Sequence, residues 1–261
     1  MPEAFLLAYA LIFGLIVGSF LNVVILRLPS DGESIVFPAS RCPQCREKIL
    51  WYDNIPVLSF ILLKRRCRHC GAAISWQYPL VEAAMGLISL ALLQKFGLSA
   101  ACAIYFVFSA SLLVVMVIDF YHQIIPDAIS LPGIFAGFAV SGINPAVTWQ
   151  ESGLGLLLGG GILYAIATAY YLLTKREGMG GGDIKLLAMI GAFLGWQSLF
   201  FVIFGSSLVG ALVGIGAMFK QKKGRLTQIP FGPFLAGAAL FYMFYQEKIN
   251  LLLRMYFLPP V

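Results

Sequence analysis

The sequence predicts an all-α polytopic membrane protein of about eight transmembrane helices, with a small cytosolic four-cysteine zinc module between the first two. Three observations carry this. Of 261 residues, 60% are hydrophobic and only 11% are charged, and mean hydropathy is strongly positive, a balance that no soluble domain of this length shows. Apolar segments close to the roughly 20 residues of a membrane span recur, with polar residues confined to short intervals between them. Four of the five cysteines fall in one polar loop.

The first apolar run, 4–26, follows Met1, Pro2 and Glu3, which carry no basic charge, and it is too long for a signal peptide, so it reads as a retained helix. Further spans are expected near 78–96, 100–118, 128–143, 153–173, 184–195, 198–219 and 231–247. Only Trp196, Gln197 and Ser198 separate the short 184–195 segment from the next, so the two could be one broken element and the count seven. Gly159, Gly160 and Gly161 inside a span imply close helix packing. No internal repeat is evident.

Charge sets the orientation, because Lys and Arg concentrate in cytosolic loops. Arg27, Arg41, Arg46, Lys48, Lys64, Arg65, Arg66 and Arg68 flank or fill the first loop. Lys175, Arg176 and Lys185 surround a later loop, and Lys220, Lys222, Lys223 and Arg225 fill the last. With eight spans all these loops share one side, leaving Lys95, Lys248 and Arg254 for the other. The net charge of +6 is thus a matter of topology; no basic stripe interleaves with stacking aromatics, so nucleic acid is not an expected partner. The expected partner surface is the lipid bilayer.

The polar insert of about 50 residues is too small to bury much core without a staple. Its staple is legible in Cys42-Pro43-Gln44-Cys45 and Cys67-Arg68-His69-Cys70, two CxxC knuckles 21 residues apart. That spacing is close to four-cysteine zinc sites, in which all four positions are filled and the ion is structural. His69 could replace a cysteine, and disulfides or bare thiols are the alternative to Zn2+; a reducing cytosol disfavours disulfides. Cys102, inside an apolar span, reads as a small buried residue.

Ionisable residues at membrane depth are functional candidates by default. Glu82 begins the second span, Asp119 ends the third, Asp127 follows Pro126, and Asp183 follows Gly180, Gly181 and Gly182. Asp119 and Asp183 form the sharpest pair, each beside an apolar helix where partial desolvation raises a carboxyl pKa. Two close carboxyls cannot both ionise readily, so the charged one can activate water while the neutral one polarises a carbonyl. The glycines would let an extended substrate strand approach the backbone. Asp127 and Asp183 could equally be helix caps, and Lys185 a salt-bridge partner or an interfacial charge. With only His69 and His122, histidine-based triads lack material; HExxH is absent, and 178–182 is neither a Rossmann nor a Walker loop.

Six ordered motifs resemble the bacterial prepilin leader peptidase/N-methyltransferase family, membrane aspartyl proteases of the GxGD type that are distantly related in motif to presenilin. They are Gly18-Ser19-Phe20-Leu21-Asn22-Val23-Val24; the two CxxC knuckles around Asp53-Asn54-Ile55-Pro56-Val57; Tyr78-Pro79-Leu80-Val81-Glu82; Ile118-Asp119 with Ile125-Pro126-Asp127; Gly180-Gly181-Gly182-Asp183-Ile184-Lys185; and Ile229-Pro230-Phe231-Gly232-Pro233. The resemblance implies catalytic Asp119 and Asp183, supported by Gly180, Gly182 and Lys185, and a zinc loop on Cys42, Cys45, Cys67 and Cys70. It implies a first helix at 1–28, a zinc module linked to methyltransferase activity at 29–77, and a transmembrane peptidase domain at 78–261. The implied substrates are prepilins and pseudopilins, cut at the cytosolic boundary of the bacterial inner membrane and then methylated at the new N-terminal amine by S-adenosylmethionine. Gly32, Glu33 and Glu82 are the methyl-donor candidates, with a packing or capping contact as the alternative for Glu82. An ion- or proton-coupled transporter would also place aspartates in a membrane, but it would more often show paired halves with matched broken helices, which are not found here. A pilus-assembly scaffold is the other competing class, and it would tolerate loss of either aspartate.

Overall fold

A computed structural model describes residues 3–30, 34–37, 40–176, 180–221 and 230–257. They form α1 (Glu3–Arg27), a 3-10 turn (Trp51–Asn54), α2 (Leu58–Leu62), α3 (Gln77–Phe96), α4 (Ala100–His122), α5 (Asp127–Val140), α6 (Trp149–Thr174), α7 (Gly181–Leu194), α8 (Gln197–Gln221) and α9 (Gly232–Phe257). Apart from two isolated bridges, no β-pairing occurs among the described residues. A helix therefore stands at each of the eight expected positions.

Five of them, α1, α3, α4, α6 and α8, are long and apolar enough to cross a membrane. The expected count of eight spans is not reproduced. Both α5 and α7 have 14 residues, about 21 Å of helix against a hydrocarbon core of about 30 Å. The apolar run of α9 is diluted by Gln246, Glu247 and Lys248, and its backbone leaves helical geometry at Tyr245.

The chain divides into two compact units, Met1–Val114 and Val115–Val261. In the first, α1 lies along α3. Gly14 and Gly18 make this contact possible, since a Cβ at Gly18 would stand 2.7 Å from the Glu82 Cα. Buried Asn22 ties the pair by donating to the Tyr78 carbonyl at 3.1 Å. In the second unit, α7 is the central element. Every residue from Leu186 to Leu194 is buried, the pattern of a helix enclosed on all sides rather than of an amphipathic one. Small residues admit its neighbours: Gly133 and Gly137 of α5 face Met189 and Phe193, while Gly155 and Gly159 of α6 face the backbone of Gly191 and Leu187. Gly159 confirms the packing role expected of it; a Cβ at Gly161 would meet nothing within 4 Å.

The helix ends have local causes. α6 begins four residues earlier than expected, because Thr148 and Glu151 form a reciprocal capping box. Gly195, at φ 78°, separates α7 from α8, a left-handed conformation that glycine adopts without strain. The segments 184–195 and 198–219 are thus two helices, not one broken element.

Candidate active site and metal centre

The aspartate site lies within the second unit. Asp119 is in the last turn of α4 and is buried. Gln123, at φ 56°, ends that helix by bonding to the Asp119 carbonyl at 2.9 Å. A carboxylate near a helix C-terminus faces the negative end of the macrodipole. The compensation comes from α9, whose first residue, Gly232, donates its backbone N–H to Asp119 Oδ2 at 2.9 Å. That N–H belongs to the unsatisfied first turn of α9, where a negative charge is favoured.

Asp183 stands in the first turn of α7, with Gly180 as the cap residue and no side-chain cap bond. Asp183 is three residues past the cap position, which Gly180 occupies. Ile125 joins the two aspartate segments: a Cβ at Gly182 would come within 2.9 Å of the Ile125 Cβ, and one at Gly232 within 3.2 Å of its Cδ1. Burial first, and the Asp119 carboxylate second, push the Asp183 carboxyl up to about 6. The two carboxyls thus act on each other. Gly181 borders open space, where an added Cβ would meet nothing within 4 Å, whereas Gly182 is packed by Ile125. Gly180 is exposed.

Lys185 pairs with both oxygens of Asp127, at 2.7 and 2.8 Å. Of the two readings open from sequence, the salt-bridge partner is the one found, and Asp127 is the first residue of α5, after the cap residue Pro126. The contribution of Gly232 was not singled out from sequence. Its signal was a Gly-Pro pair opening an apolar run, a helix-start pattern that places unpaired N–H groups.

In the first unit the two knuckles repeat each other at a displacement of 25 residues. Cys42 N–H bonds the Glu47 carbonyl and Cys67 N–H that of Ala72; Arg46 N–H returns to Cys42 and Gly71 N–H to Cys67; Ile49 pairs with Ser40 and Ile74 with Arg65. The bridges Arg41 to Lys48 and Arg66 to Ala73 follow the same offset. Arg46 and Gly71 share positive φ, 59° and 71°. A local structural repeat therefore exists where none was evident from sequence, because the two knuckles share a backbone pattern while most of their side chains other than the cysteines differ.

The four cysteine sulfurs lie within 4.8 Å of one another, and all are free thiols. Tetrahedral coordination at about 2.3 Å puts sulfurs about 3.8 Å apart; Cys42 Sγ and Cys70 Sγ are 3.9 Å apart. The donor set fits a metal ion. His69 is not part of the cluster. The backbone N–H groups of Cys70 and then His69 pull the Cys67 thiol down to about 6, while in the same cluster the Cys45 thiol is pushed up to about 12. Arg68 grips Asp53 through three contacts of 2.6 to 3.1 Å, holding the second knuckle to the turn after the first and keeping the Asp53 carboxyl below its ordinary range. Cys102 is half-buried rather than buried.

Glu82 is buried in α3 and accepts the Val57 N–H at 2.7 Å. Val57 has φ 61°, strained for a β-branched residue, so Glu82 anchors that turn. This is the contact held open as its alternative. Gly32 and Glu33 lie outside the described residues.

Residues 12–96 match the Bacterial Peptidase A24 N-terminal domain, and residues 106–215 match the Type IV leader peptidase family. The chain belongs to this peptidase family. It is 38% identical to a prepilin leader peptidase/N-methyltransferase of Stutzerimonas stutzeri, over 95% of this chain and 93% of the relative. A protein so named from Pseudomonas putida is 36% identical, over 95% and 94%, and one from Burkholderia pseudomallei 35%, over 97% and 90%. No solved structure gives a significant match. For this leader peptidase family member, the matched ranges place the cysteine knuckles in the N-terminal domain and both aspartates in the peptidase segment.

Proposed function

We propose that the chain is an aspartyl endopeptidase of a bacterial inner membrane that removes the leader of prepilins and pseudopilins, then methylates the new N-terminal amine. The observation that carries the first activity is the convergence of Asp119, Asp183 and the Gly232 amide. Burial acts on both carboxyls; the Gly232 N–H favours the charged form of Asp119, and that charge favours a proton on Asp183. Asp119 then takes a proton from water as that water attacks the scissile carbonyl, while protonated Asp183 donates to the carbonyl oxygen. Collapse of the tetrahedral species returns a proton to the leaving amine. The open space at Gly181 suits an extended strand.

The relatives' names support the second activity, with S-adenosylmethionine as the methyl donor, which supplies an electrophilic methyl group when bound. Gly32, Glu33 and Glu82 are proposed to contribute to its site in the 29–77 module and adjoining α3. Cys42, Cys45, Cys67 and Cys70 would hold a structural Zn2+ that closes the module. Lys and Arg placement supports a cytosolic position for this loop and for both aspartates. Lys185, together with Gly180 and Gly182, is proposed to position Asp183.

The test is incubation of purified protein with a prepilin peptide and S-adenosylmethionine, read by mass spectrometry. Leader loss followed by one added methyl group is expected. Asp119→Asn and Asp183→Asn should each abolish leader loss while remaining folded, and normal processing by both variants would sink the assignment.

A further inference from the structure

The first unit contains a cavity of about 280 Å³ between the two knuckles and the start of α3. Neither Asp119 nor Asp183 lines it. Phe60, Ile55 and Ile74 supply apolar walls, and Asn54, Gln77 and Glu82 supply polar edges. Gln77 is the informative residue. Its Nε2 is buried and has no hydrogen-bond partner, a state that costs free energy unless an acceptor from outside the protein completes it.

The size lies near the lower bound of about 300 Å³ for small-molecule pockets, and the composition has their character, mostly apolar with a few convergent polar groups. A donor that joins a flat purine to a cationic, amino-acid-bearing end needs three things. The purine needs apolar walls, the ring nitrogens need amide groups, and the positive charge needs a carboxylate. Phe60, Ile55 and Ile74 meet the first need, Gln77 and Asn54 the second and Glu82 the third. We propose that this cavity is the seat of the methyl donor, with Gln77 Nε2 donating to an acceptor atom of its purine or ribose. The knuckles then serve binding directly, because they form the cavity rim. This rests on the methyl-transfer reading above and goes beyond it by assigning Gln77, Asn54 and the cavity walls.

The experiment is calorimetric titration of the detergent-solubilised full chain with S-adenosylmethionine. The variants are Gln77→Leu, which removes the donor at similar volume; Ala72→Leu, which fills part of the cavity; and Asn54→Leu at an exposed position. Metal content and melting temperature report folding, and any variant that keeps both serves. Weakening of 10-fold or more in the folded variants is the expected result. If the wild type binds the donor and methylates processed peptide, while the folded variants bind equally well, the cavity assignment is overturned and the methyl-transfer reading stands. If the wild type neither binds the donor nor adds a methyl group, that reading falls, and the cavity assignment falls with it.

Discussion

The backbone N–H of Gly232 donates to Oδ2 of Asp119 across 113 residues of chain, so the start of α9 stabilises a carboxylate at the end of α4. A methyl group at Gly232 would sit 2.7 Å from that oxygen. Gly232→Ala should displace the carboxyl and slow leader cleavage by about 100-fold, the scale expected for misplacing a catalytic group by an ångström. Single-turnover cleavage of a prepilin peptide by folded variant checks this; a wild-type rate would refute it.

The Asp183 carboxyl, raised from 3.8 to about 6, implies a specific pH dependence of stability. A raised folded-state pKa means that the native protein binds more protons than the unfolded chain between those values, so stability falls as pH rises through that window. Asp183→Asn removes the buried charge. The variant should therefore melt at a higher temperature than the wild type above pH 6, with the advantage vanishing below about pH 4. Melting scans across pH decide this, and a pH-independent difference would count against it.

Gly155 and Gly191 approach so closely that a Cβ on either would overlap the backbone of the other. No side chain can move aside there. Gly155→Leu should cost about 1–3 kcal/mol or prevent folding outright, whereas Gly161→Leu, which meets open space, should leave the melting temperature close to that of the wild type.

The knuckle repeat makes an asymmetric prediction. Arg46 and Gly71 occupy equivalent left-handed positions, where a non-glycine residue costs roughly 1–2 kcal/mol. Gly71→Arg should lower stability by about 1 kcal/mol, while Arg46→Gly should be neutral within about 0.5 kcal/mol, strain relief offsetting the added freedom of the unfolded chain. Thermal melting of both variants in parallel tests the equivalence.

Metal analysis of protein purified without chelator should find about one zinc per chain. Cys42→Ser should lower metal content and melting temperature together, since ligand loss removes folding free energy. Metal-free wild-type protein, or an unaffected Cys42→Ser variant, would contradict the proposed centre.

The helical positions were legible because apolar length is a coarse signal, and the knuckles because CxxC spacing encodes sulfur geometry. Span number was less so. The apolar run of α7 reads like a short span, yet its residues bury against protein, and composition does not distinguish a lipid neighbour from a protein one. Asp119 and Asp183 stood out as charges at the ends of apolar segments, but the Gly232 amide contributes through its backbone, which no side-chain pattern displays. Glu82 was visible as an anomalous charge; its partner, the Val57 N–H, depends on a strained turn that sequence does not reveal. Thr148 and Glu151 did carry a readable helix-start signature, and the start of α6 follows from it.

The helix that presents Asp183 is enclosed by α5, α6, α8 and α9. Acyl chains have no access to the stretch from Leu186 to Leu194, so bilayer thickness and lipid type act on that stretch only through the surrounding helices. Under the proposed catalysis, the helix that carries Asp183 would take its depth from protein neighbours rather than from lipid.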